Sequence, residues 1–237
     1  MEDYIIIPTY NERENIPVLL DQLITLYPTT HIMIVDDNSP DGTGDIIKDY
    51  ARRFHLIELY GRPGKFGLGT AYIEAFNIIL GRPQNIRSII TMDADFSHDP
   101  KVVEEMHRLI DMYDVIIGSR YMQGGHIAHW PLWRKILSRF GNFYARTITG
   151  TPIADMTSGF HCFRADILRR YHLKKITSAG FAFLIEIKII GYRMGASIKE
   201  TPIVLKDRKE GKTKLSNHII YEAIILPWRW WIPKNNY

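Results

Sequence analysis

The feature of this sequence that most constrains its fold is a regular alternation between short apolar runs and longer amphipathic segments. Strand-like runs rich in β-branched and aromatic residues occupy residues 4–9, 31–37, 55–61, 88–95 and 114–121. Segments with apolar residues at helical spacing lie between them, over residues 13–27, 41–54, 67–80 and 100–112. Parallel strands need a crossover connection, usually a helix, so this alternation predicts an α/β fold with a mostly parallel sheet flanked by helices.

The second half of the chain changes rhythm. Aromatic, basic and apolar residues mix at helical spacing in its first segment, which predicts a long amphipathic helix. The predicted elements are, in order, that helix over 129–150, a loop over 154–168 running into a short helix, a helix over 180–195, a strand over 197–205 and a basic loop over 206–215.

Composition fits one packed domain. Of the 237 residues, 46% are hydrophobic and 24% are charged, and no linker or repeat divides the chain. We therefore predict a domain over residues 1–216 and a C-terminal amphipathic helix over 217–237. The single cysteine, Cys162, excludes an internal disulfide and favours a reducing compartment. A net charge of +4 favours anionic partners, but no motif typical of nucleic-acid readers is present, and we expect no nucleic acid.

Polar residues follow four of the predicted strands at the point where each strand ends. They lie in residues 8–12, 36–42, 93–99 and 118–121. Because the carboxyl ends of parallel strands share one edge of a sheet, where ligands of doubly wound folds bind, these residues should line one cleft.

Asp93 and Asp95 have two interpretations. As alternate residues of an extended chain they point the same way, and two carboxylates in one cleft suit Mg²⁺ or Mn²⁺ held together with substrate phosphates. The alternative is a polar turn before a helix. We assign the turn role to Asp99, as the cap of a helix with Pro100 at its first position, and the metal role to the pair. In the same way, Asp41 is predicted to cap the helix over 41–54.

The strand end at Asp36 and Asp37 also has two interpretations. A carboxylate here can accept hydrogen bonds from a base or ribose, whereas Asn38 to Gly42 are typical of a turn. Both can hold if Asp37 faces the ligand. The sequence lacks the glycine-rich phosphate loops of kinases and dehydrogenases, so a nucleotide would be held through a metal and basic side chains. The basic candidates are Arg120, Arg134, Arg208 and Lys214.

Seven segments in this order give the sequence a family resemblance: "PTYNERENI", "DDNSPDGT", "GRPGKFGLGTAY", "DADFSHDP", "GSRYMQGG", "DMTSGF" and "DRKEGKTKL". Together they resemble the dolichyl-phosphate (polyprenol-phosphate) mannosyltransferases, which are inverting family-2 glycosyltransferases of the GT-A, Rossmann-like fold. The resemblance implies transfer of mannose from GDP-mannose to a dolichyl or polyprenyl phosphate with Mg²⁺ or Mn²⁺. Residues 1–216 would then form the GT-A catalytic domain.

The resemblance also implies roles for individual residues. Asp95 and Ser97 would be the metal ligands, with Asp95 the main one; the Ser97 position is glutamine in some relatives and serine in others. Asp93 and Arg120 would act with Asp95 in catalysis. Thr213 replaces a serine that is usual in the basic loop. The residues implied to contact the donor or acceptor are Pro8, Tyr10, Glu12, Val35, Asp37, Asp93, Ala94, Asp95, Ser97, Arg120, Arg134, Arg208 and Lys214.

A lipid acceptor requires contact with a membrane. Trp130 and Trp133 beside Arg134, and the tryptophans of residues 228–231, suit a helix lying in the headgroup region, whereas the alternative is that these rings pack in the core or on a partner. We expect a peripheral position on the cytoplasmic face of a membrane, or small membrane subunits as partners. A family-2 enzyme with another donor, such as UDP-glucose, and a non-catalytic scaffold remain alternatives.

Overall fold

A seven-stranded sheet forms the centre of the computed structural model, which describes residues 1–178, 180–205 and 226–228. The strands are β1 (Glu2–Thr9), β2 (His31–Asp36), β3 (Ile57–Gly61), β4 (Ile86–Thr91), β5 (Val115–Ser119), β6 (His126–Ile127), β7 (His161–Arg164), β8 (Ile198–Pro202) and β9 (Val204–Leu205). The strand order in the central sheet is β3-β2-β1-β4-β7-β5-β8, and a separate two-stranded sheet pairs β6 with β9.

The central sheet is mostly parallel, as the alternation of elements predicts. Strands β1, β2, β3 and β4 run in one direction, and β5 pairs with β8 in parallel. The chain leaves β1 toward β2 and β3 on one side and returns to β4 on the other. The switch point of the sheet therefore lies between β1 and β4, which is where such folds form a ligand crevice.

Strand β7 is the exception, because it runs antiparallel between β4 and β5. The prediction of a loop over 154–168 is wrong at His161–Arg164. This strand has only four residues, too few to show a period of two, and its partners are distant in sequence. Its pairing depends on tertiary structure that the local sequence does not encode.

Helices cover both faces of the sheet. The α-helices are α1 (Asn15–Leu26), α2 (Thr43–Arg53), α3 (Leu68–Leu80), α4 (Val102–Leu109), α5 (Leu132–Thr149), α6 (Ala165–Arg170) and α7 (Ala182–Arg193). Alternate residues of β1 face opposite sides, so that Tyr4 and Ile6 join the core beneath α3, α6 and α7, and Ile5 and Ile7 join the core beneath α1, α2 and α4.

Two predicted helix starts are displaced. Helix α2 begins at Thr43 after Gly42, whose φ is +90°, so Asp41 lies one residue before the cap and accepts a hydrogen bond from the Thr43 amide at 3.0 Å. Helix α4 begins at Val102, so Pro100 is outside it rather than at its first position. Lys101 is the N-cap, so the prediction that Asp99 caps this helix is wrong; its carboxylate accepts a hydrogen bond from the Lys101 amide at 3.1 Å, in the turn that precedes the helix.

The C-terminal predictions fall mainly outside the described residues. These predictions are the basic loop over 206–215 with Arg208 and Lys214, and the helix over 217–237 apart from residues 226–228. Leu226 packs into the core, and Trp228 Nε1 donates a hydrogen bond to Tyr144 Oη at 2.5 Å. Across the described ranges, no helix combines the length and apolar character needed to cross a membrane.

Helices α3 and α7 meet where Gly69 allows close approach. A Cβ at this position would lie 2.5 Å from Ser178 O and 2.7 Å from Phe183 Cβ. We expect Gly69→Ala to lower the free energy of unfolding by about 1–3 kcal/mol, because a methyl group there forces the helices apart. Urea denaturation measures this change.

Gly141 in α5 provides the control, because a Cβ there would meet nothing within 4 Å. Gly141→Ala should leave stability equal or raise it by up to ~1 kcal/mol, since alanine favours the helix. If Gly69→Ala unfolds at the same urea concentration as Gly141→Ala, the close approach of α3 and α7 is wrong.

Candidate active site

The polar residues predicted to share a cleft do lie at one edge of the sheet. Strand β1 ends at Thr9, just before Tyr10 and Glu12, and β4 ends at Thr91, just before Asp93 and Asp95. These two strands are neighbours at the switch point of the sheet. The ends of β2 and β5 add Asp37 and Arg120 to the same edge.

Asp95 is held in place by an unusual backbone conformation. The next residue, Phe96, has a φ of +59°, which is uncommon for a bulky side chain. This turn lets the Ser97 amide donate to Asp95 Oδ1 at 3.1 Å. Asp95 and Ser97 are both buried, while Asp93 is partly exposed and Ala94 lies in the core. Backbone strain of this kind concentrates at functional sites.

His98 contacts the backbone of Asp93 from the buried side. Its Nδ1 accepts a hydrogen bond from the Asp93 amide at 3.0 Å, and its ring stacks on Phe160 with centroids 4.8 Å apart. Burial lowers the pKa of His98, although Asp93 and Asp95 act in the opposite direction. The neutral ring therefore carries its proton on Nε2, which lies 3.9 Å from Asp93 Oδ2.

The two acids at the end of β2 have separate functions. Asp36 makes the turn, accepting hydrogen bonds from Thr9 Oγ1 at 2.9 Å and Ser39 Oγ at 2.6 Å. Asp37 pairs with Arg62, whose Nε lies 2.6 Å from Asp37 Oδ1. Burial raises the pKa of Asp37, and Arg62 opposes that change. Arg62 thus fixes the carboxylate that is predicted to lie beside a base or ribose.

The other residues predicted to contact the nucleotide surround the β1 end. Lys65 Nζ lies 4.3 Å from the centre of the Tyr10 ring, a cation–π contact, and Glu12 Oε2 accepts from Asn15 Nδ2 at 2.9 Å. Pro8 is half-buried and pairs in register with Val35, which is fully buried. Val35 has no solvent-exposed surface, and its contact with a nucleotide stays a prediction.

Arg120 is part of a buried network. Its Nε and backbone amide both donate to Asp155 Oδ2, at 2.7 and 2.9 Å, and its Nη2 donates to Asp155 Oδ1 and to Thr157 Oγ1. Burial alone would raise the pKa of Asp155, but Arg120 lowers it below its ordinary value. Glu200 in turn accepts the amides of Ala154 and Asp155. Contact between Arg120 and a phosphate stays a prediction.

Arg134 is in the first turn of α5. Its guanidinium stacks over the Trp130 ring at 3.7 Å, and the predicted phosphate contact is not tested by this geometry. Sequence reasoning missed Arg62, His98 and Asp155. A signal existed for Arg62, since it directly follows β3 and so obeys the same strand-end rule as Asp37 and Arg120.

The chemistry of the donor set fits a divalent ion. Asp93 and Asp95 offer hard carboxylate oxygens at one strand end, which suits Mg²⁺ or Mn²⁺ shared with substrate phosphates. Among residues 1–178, 180–205 and 226–228, no group of three or more His, Cys, Asp or Glu side chains could enclose a metal. Two carboxylates fit an ion that is also bound by substrate phosphates.

Sequence comparison shows the class of protein that this fold and site represent. Residues 4–172 match the family described as "Glycosyl transferase family 2", and the chain belongs to that family. The resemblance identified from the seven segments is confirmed.

Curated relatives are similar over nearly the full chain. An undecaprenyl-phosphate mannosyltransferase of Micrococcus luteus is 38% identical, with 95% of this chain and 92% of the relative covered. A polyprenol monophosphomannose synthase of Mycolicibacterium smegmatis is also 38% identical, over 96% and 86% of the two chains.

Solved structures confirm the GT-A fold class. A glucosyl-3-phosphoglycerate synthase of Mycobacterium tuberculosis in complex with Mn²⁺, UDP and glucosyl-3-phosphoglycerate superposes with a TM-score of 0.68 at 15% identity, covering 99% of this chain and 81% of that one. The same enzyme with Mn²⁺, UDP-glucose and phosphoglyceric acid gives a TM-score of 0.69 at 14% identity, with the same coverage.

The Arg120–Asp155 pair should dominate the stability of the β5 end. We expect Asp155→Asn to lower the free energy of unfolding by about 3–5 kcal/mol, because the buried guanidinium loses its countercharge. The loss should shrink in acid, since a carboxyl with a lowered pKa stabilises the fold above its unfolded pKa of about 4 and less as pH falls below it. Urea denaturation at several pH values tests both statements.

The matched control is Asp45→Asn, which removes a carboxylate from an exposed pair with Lys48. Its unfolding midpoint should equal that of the wild type, since exposed ion pairs contribute little. Equal midpoints for Asp155→Asn and Asp45→Asn would show that the buried network is not stabilising.

Proposed function

We propose that this chain is an inverting glycosyltransferase that transfers mannose from GDP-mannose to dolichyl or another polyprenyl phosphate. The product is a polyprenyl β-phosphomannose. The observation that carries the proposal is the Asp93–Asp95 pair at the switch point of the sheet, in a chain 38% identical to two polyprenol-phosphate mannosyltransferases over at least 95% of its length.

The site residues have separate proposed roles toward the metal ion and the sugar-nucleotide donor. Asp95, helped by the Ser97 hydroxyl, would hold Mg²⁺ or Mn²⁺, which when bound offsets charge on the departing nucleoside diphosphate. Asp37, fixed by Arg62, supports recognition of the base or ribose. Pro8, Tyr10, Glu12 and Val35, at or beside the ends of β1 and β2, are proposed to complete the nucleotide site.

The chemistry requires no nucleophile from the protein. A phosphate monoester is already anionic near neutral pH, because its second pKa is about 6. It therefore needs orientation toward the sugar carbon rather than deprotonation by a strong base. Arg120, Arg208 and Lys214 supply the cationic groups proposed to orient donor and acceptor phosphates, and direct in-line displacement inverts the sugar carbon.

Removal of the Asp95 carboxylate tests the metal and the reaction together. With radiolabelled GDP-mannose, polyprenyl phosphate and Mn²⁺, we expect label in the lipid phase from the wild type and at least about a hundredfold less from Asp95→Asn, because charge stabilisation of the leaving group is lost. A chelator should abolish the wild-type signal. Asp99→Asn is the control, since Asp99 contacts the Lys101 amide in the same segment.

The other outcomes are distinct. Transfer from UDP-glucose but not GDP-mannose would overturn the donor assignment and retain the reaction class. An α-linked product would contradict inversion. No transfer from either donor, even with membrane subunits supplied, would favour a scaffold.

Helix α5 supports a peripheral position on a membrane surface. Its inward side buries the small or polar residues Asn142, Ala145 and Thr149. Six of its large apolar residues point outward and are at least 49% exposed: Leu132, Trp133, Ile136, Leu137, Phe140 and Phe143. Basic residues of the same helix, Arg134, Lys135, Arg139 and Arg146, accompany this face. An apolar face with nearby cations is typical of a helix that lies in the interface of anionic lipids, and we place it on the cytoplasmic leaflet.

Vesicle flotation tests this position. The double variant Trp133→Ser/Phe140→Ser should lose most binding to vesicles of phosphatidylglycerol and phosphatidylcholine, because two large exposed rings are removed, while its unfolding midpoint stays unchanged. Met112→Ser, which removes another exposed apolar side chain on a different part of the surface, should bind like the wild type. A wild type that does not float would contradict a direct membrane contact and favour partner subunits.

A further inference from the structure

Helix α7 contains a lysine that is buried in the protein interior. Lys188 is 2% exposed. Its Nζ donates to the backbone carbonyls of Met156 at 3.0 Å, Ser158 at 2.7 Å and Leu184 at 3.0 Å. An ammonium group has three N–H donors, so these carbonyls satisfy it completely. Because burying an ammonium is costly, this arrangement calls for a function that an apolar residue could not supply.

Two of the three carbonyls, those of Met156 and Ser158, belong to the segment that contacts Arg120. Asp155 and Thr157, on either side of Met156, both accept hydrogen bonds from the Arg120 guanidinium. Lys188 therefore fixes the backbone that carries the partners of Arg120.

The same segment continues to the wall of the site behind Asp93. A Cβ on Gly159 would lie 3.8 Å from Asp93 Oδ1 and 3.7 Å from His98 Cε1, and Gly159 O accepts a hydrogen bond from Thr91 Oγ1 at 2.9 Å. Displacement of Ser158 would move this wall, since Ser158 and Gly159 are adjacent in the chain. One ammonium group thus holds both the Arg120 side and the Asp93 side of the candidate site.

We propose that Lys188 is a positioning residue of the transferase, whose ammonium fixes residues 156–158 so that Arg120 and Asp93 keep their geometry. This inference rests on the proposed function. Lys188 touches no reacting group and acts through the segment that it holds.

The charged surroundings make this contact sensitive to pH. Burial lowers the pKa of Lys188 to about 7; Asp155 and Glu200 act against this change, and Arg120 adds to it. His161 of β7 also faces the ammonium, and its own pKa is lowered well below the ordinary value by burial and by Lys188. A neutral amine has two N–H donors for three carbonyls, so the contact weakens as pH rises.

The variant Lys188→Met tests the proposal, because methionine fills a similar volume without the donors. We expect hydrogen–deuterium exchange of residues 154–160 to become at least about tenfold faster, as closing contacts are lost. In the transfer assay kcat should fall at least about tenfold with little change in KM for GDP-mannose, because small misplacement of site groups affects mainly the transition state. Lys199→Met, which changes an exposed lysine of β8, should match the wild type in both measurements.

The pH profile separates positioning from a purely structural role. The ratio of wild-type kcat to that of Lys188→Met should decrease from pH 6 to pH 9, since the wild type loses its ammonium near pH 7. A constant ratio, or a wild-type kcat in a variant whose residues 154–160 exchange faster, would overturn the proposal.

Unchanged exchange in Lys188→Met would overturn the contact itself. A wild type that transfers no sugar would contradict the proposed function, whereas the exchange experiment would still report on the contact between Lys188 and residues 156–158.

Discussion

The buried ion pair between Arg120 and Asp155 organises the carboxyl end of the sheet. Strand β5 ends at Ser119, and the next residue places a guanidinium against a carboxylate that is fully excluded from solvent. The pair is tolerable there because both carboxylate oxygens are bonded: Asp155 accepts from Nε, Nη2 and the amide of Arg120, and Glu200 of β8 accepts the Asp155 amide. This network joins three separate parts of the chain, β5, β8 and the segment before β7, so the wall of the site depends on it.

The parallel sheet explains why the site could form here. Strand ends place short polar segments side by side, and local backbone conformation then aims individual groups. Phe96 adopts a left-handed conformation so that the Ser97 amide reaches Asp95, and His98 returns to bond the Asp93 amide. Residues 96–98 thus hold the Asp95 carboxylate and the backbone of Asp93. The strain at Phe96 is compensated by this hydrogen bonding and by the surrounding core.

Local patterns in the sequence were sufficient for the parts of the fold that local chemistry determines. The strands β1 to β5 and the helices between them follow from residue periodicity, and the position of Asp37, Asp93, Asp95 and Arg120 at one edge follows from strand ends. Strand β7 could not be predicted, because its four residues are specified by β4 and β5 on either side. The pairing of Asp155 with Arg120 and the burial of Lys188 are likewise contacts between distant segments, which periodicity does not encode. Helix starts at Thr43 and Val102 were misplaced by one or two residues because the carboxylates predicted to cap them lie before the helices proper.

Helix α5 connects the network to the surface. On its inner side Asn142 Oδ1 accepts a hydrogen bond from the Thr157 amide at 3.1 Å, and Thr157 Oγ1 accepts one from Arg120 at 2.7 Å. The helix is therefore attached to the body of the protein through polar contacts near the site, and its aromatic residues are left outside. A helix bound only by its apolar face would hide the rings that α5 exposes. Helix α5 thus has polar residues on its inner side and aromatic residues on its outer side. Hydrogen bonds link this helix through Thr157 to Arg120. Under the proposed function, membrane contact by α5 and orientation of phosphate by Arg120 therefore act on the same part of the structure.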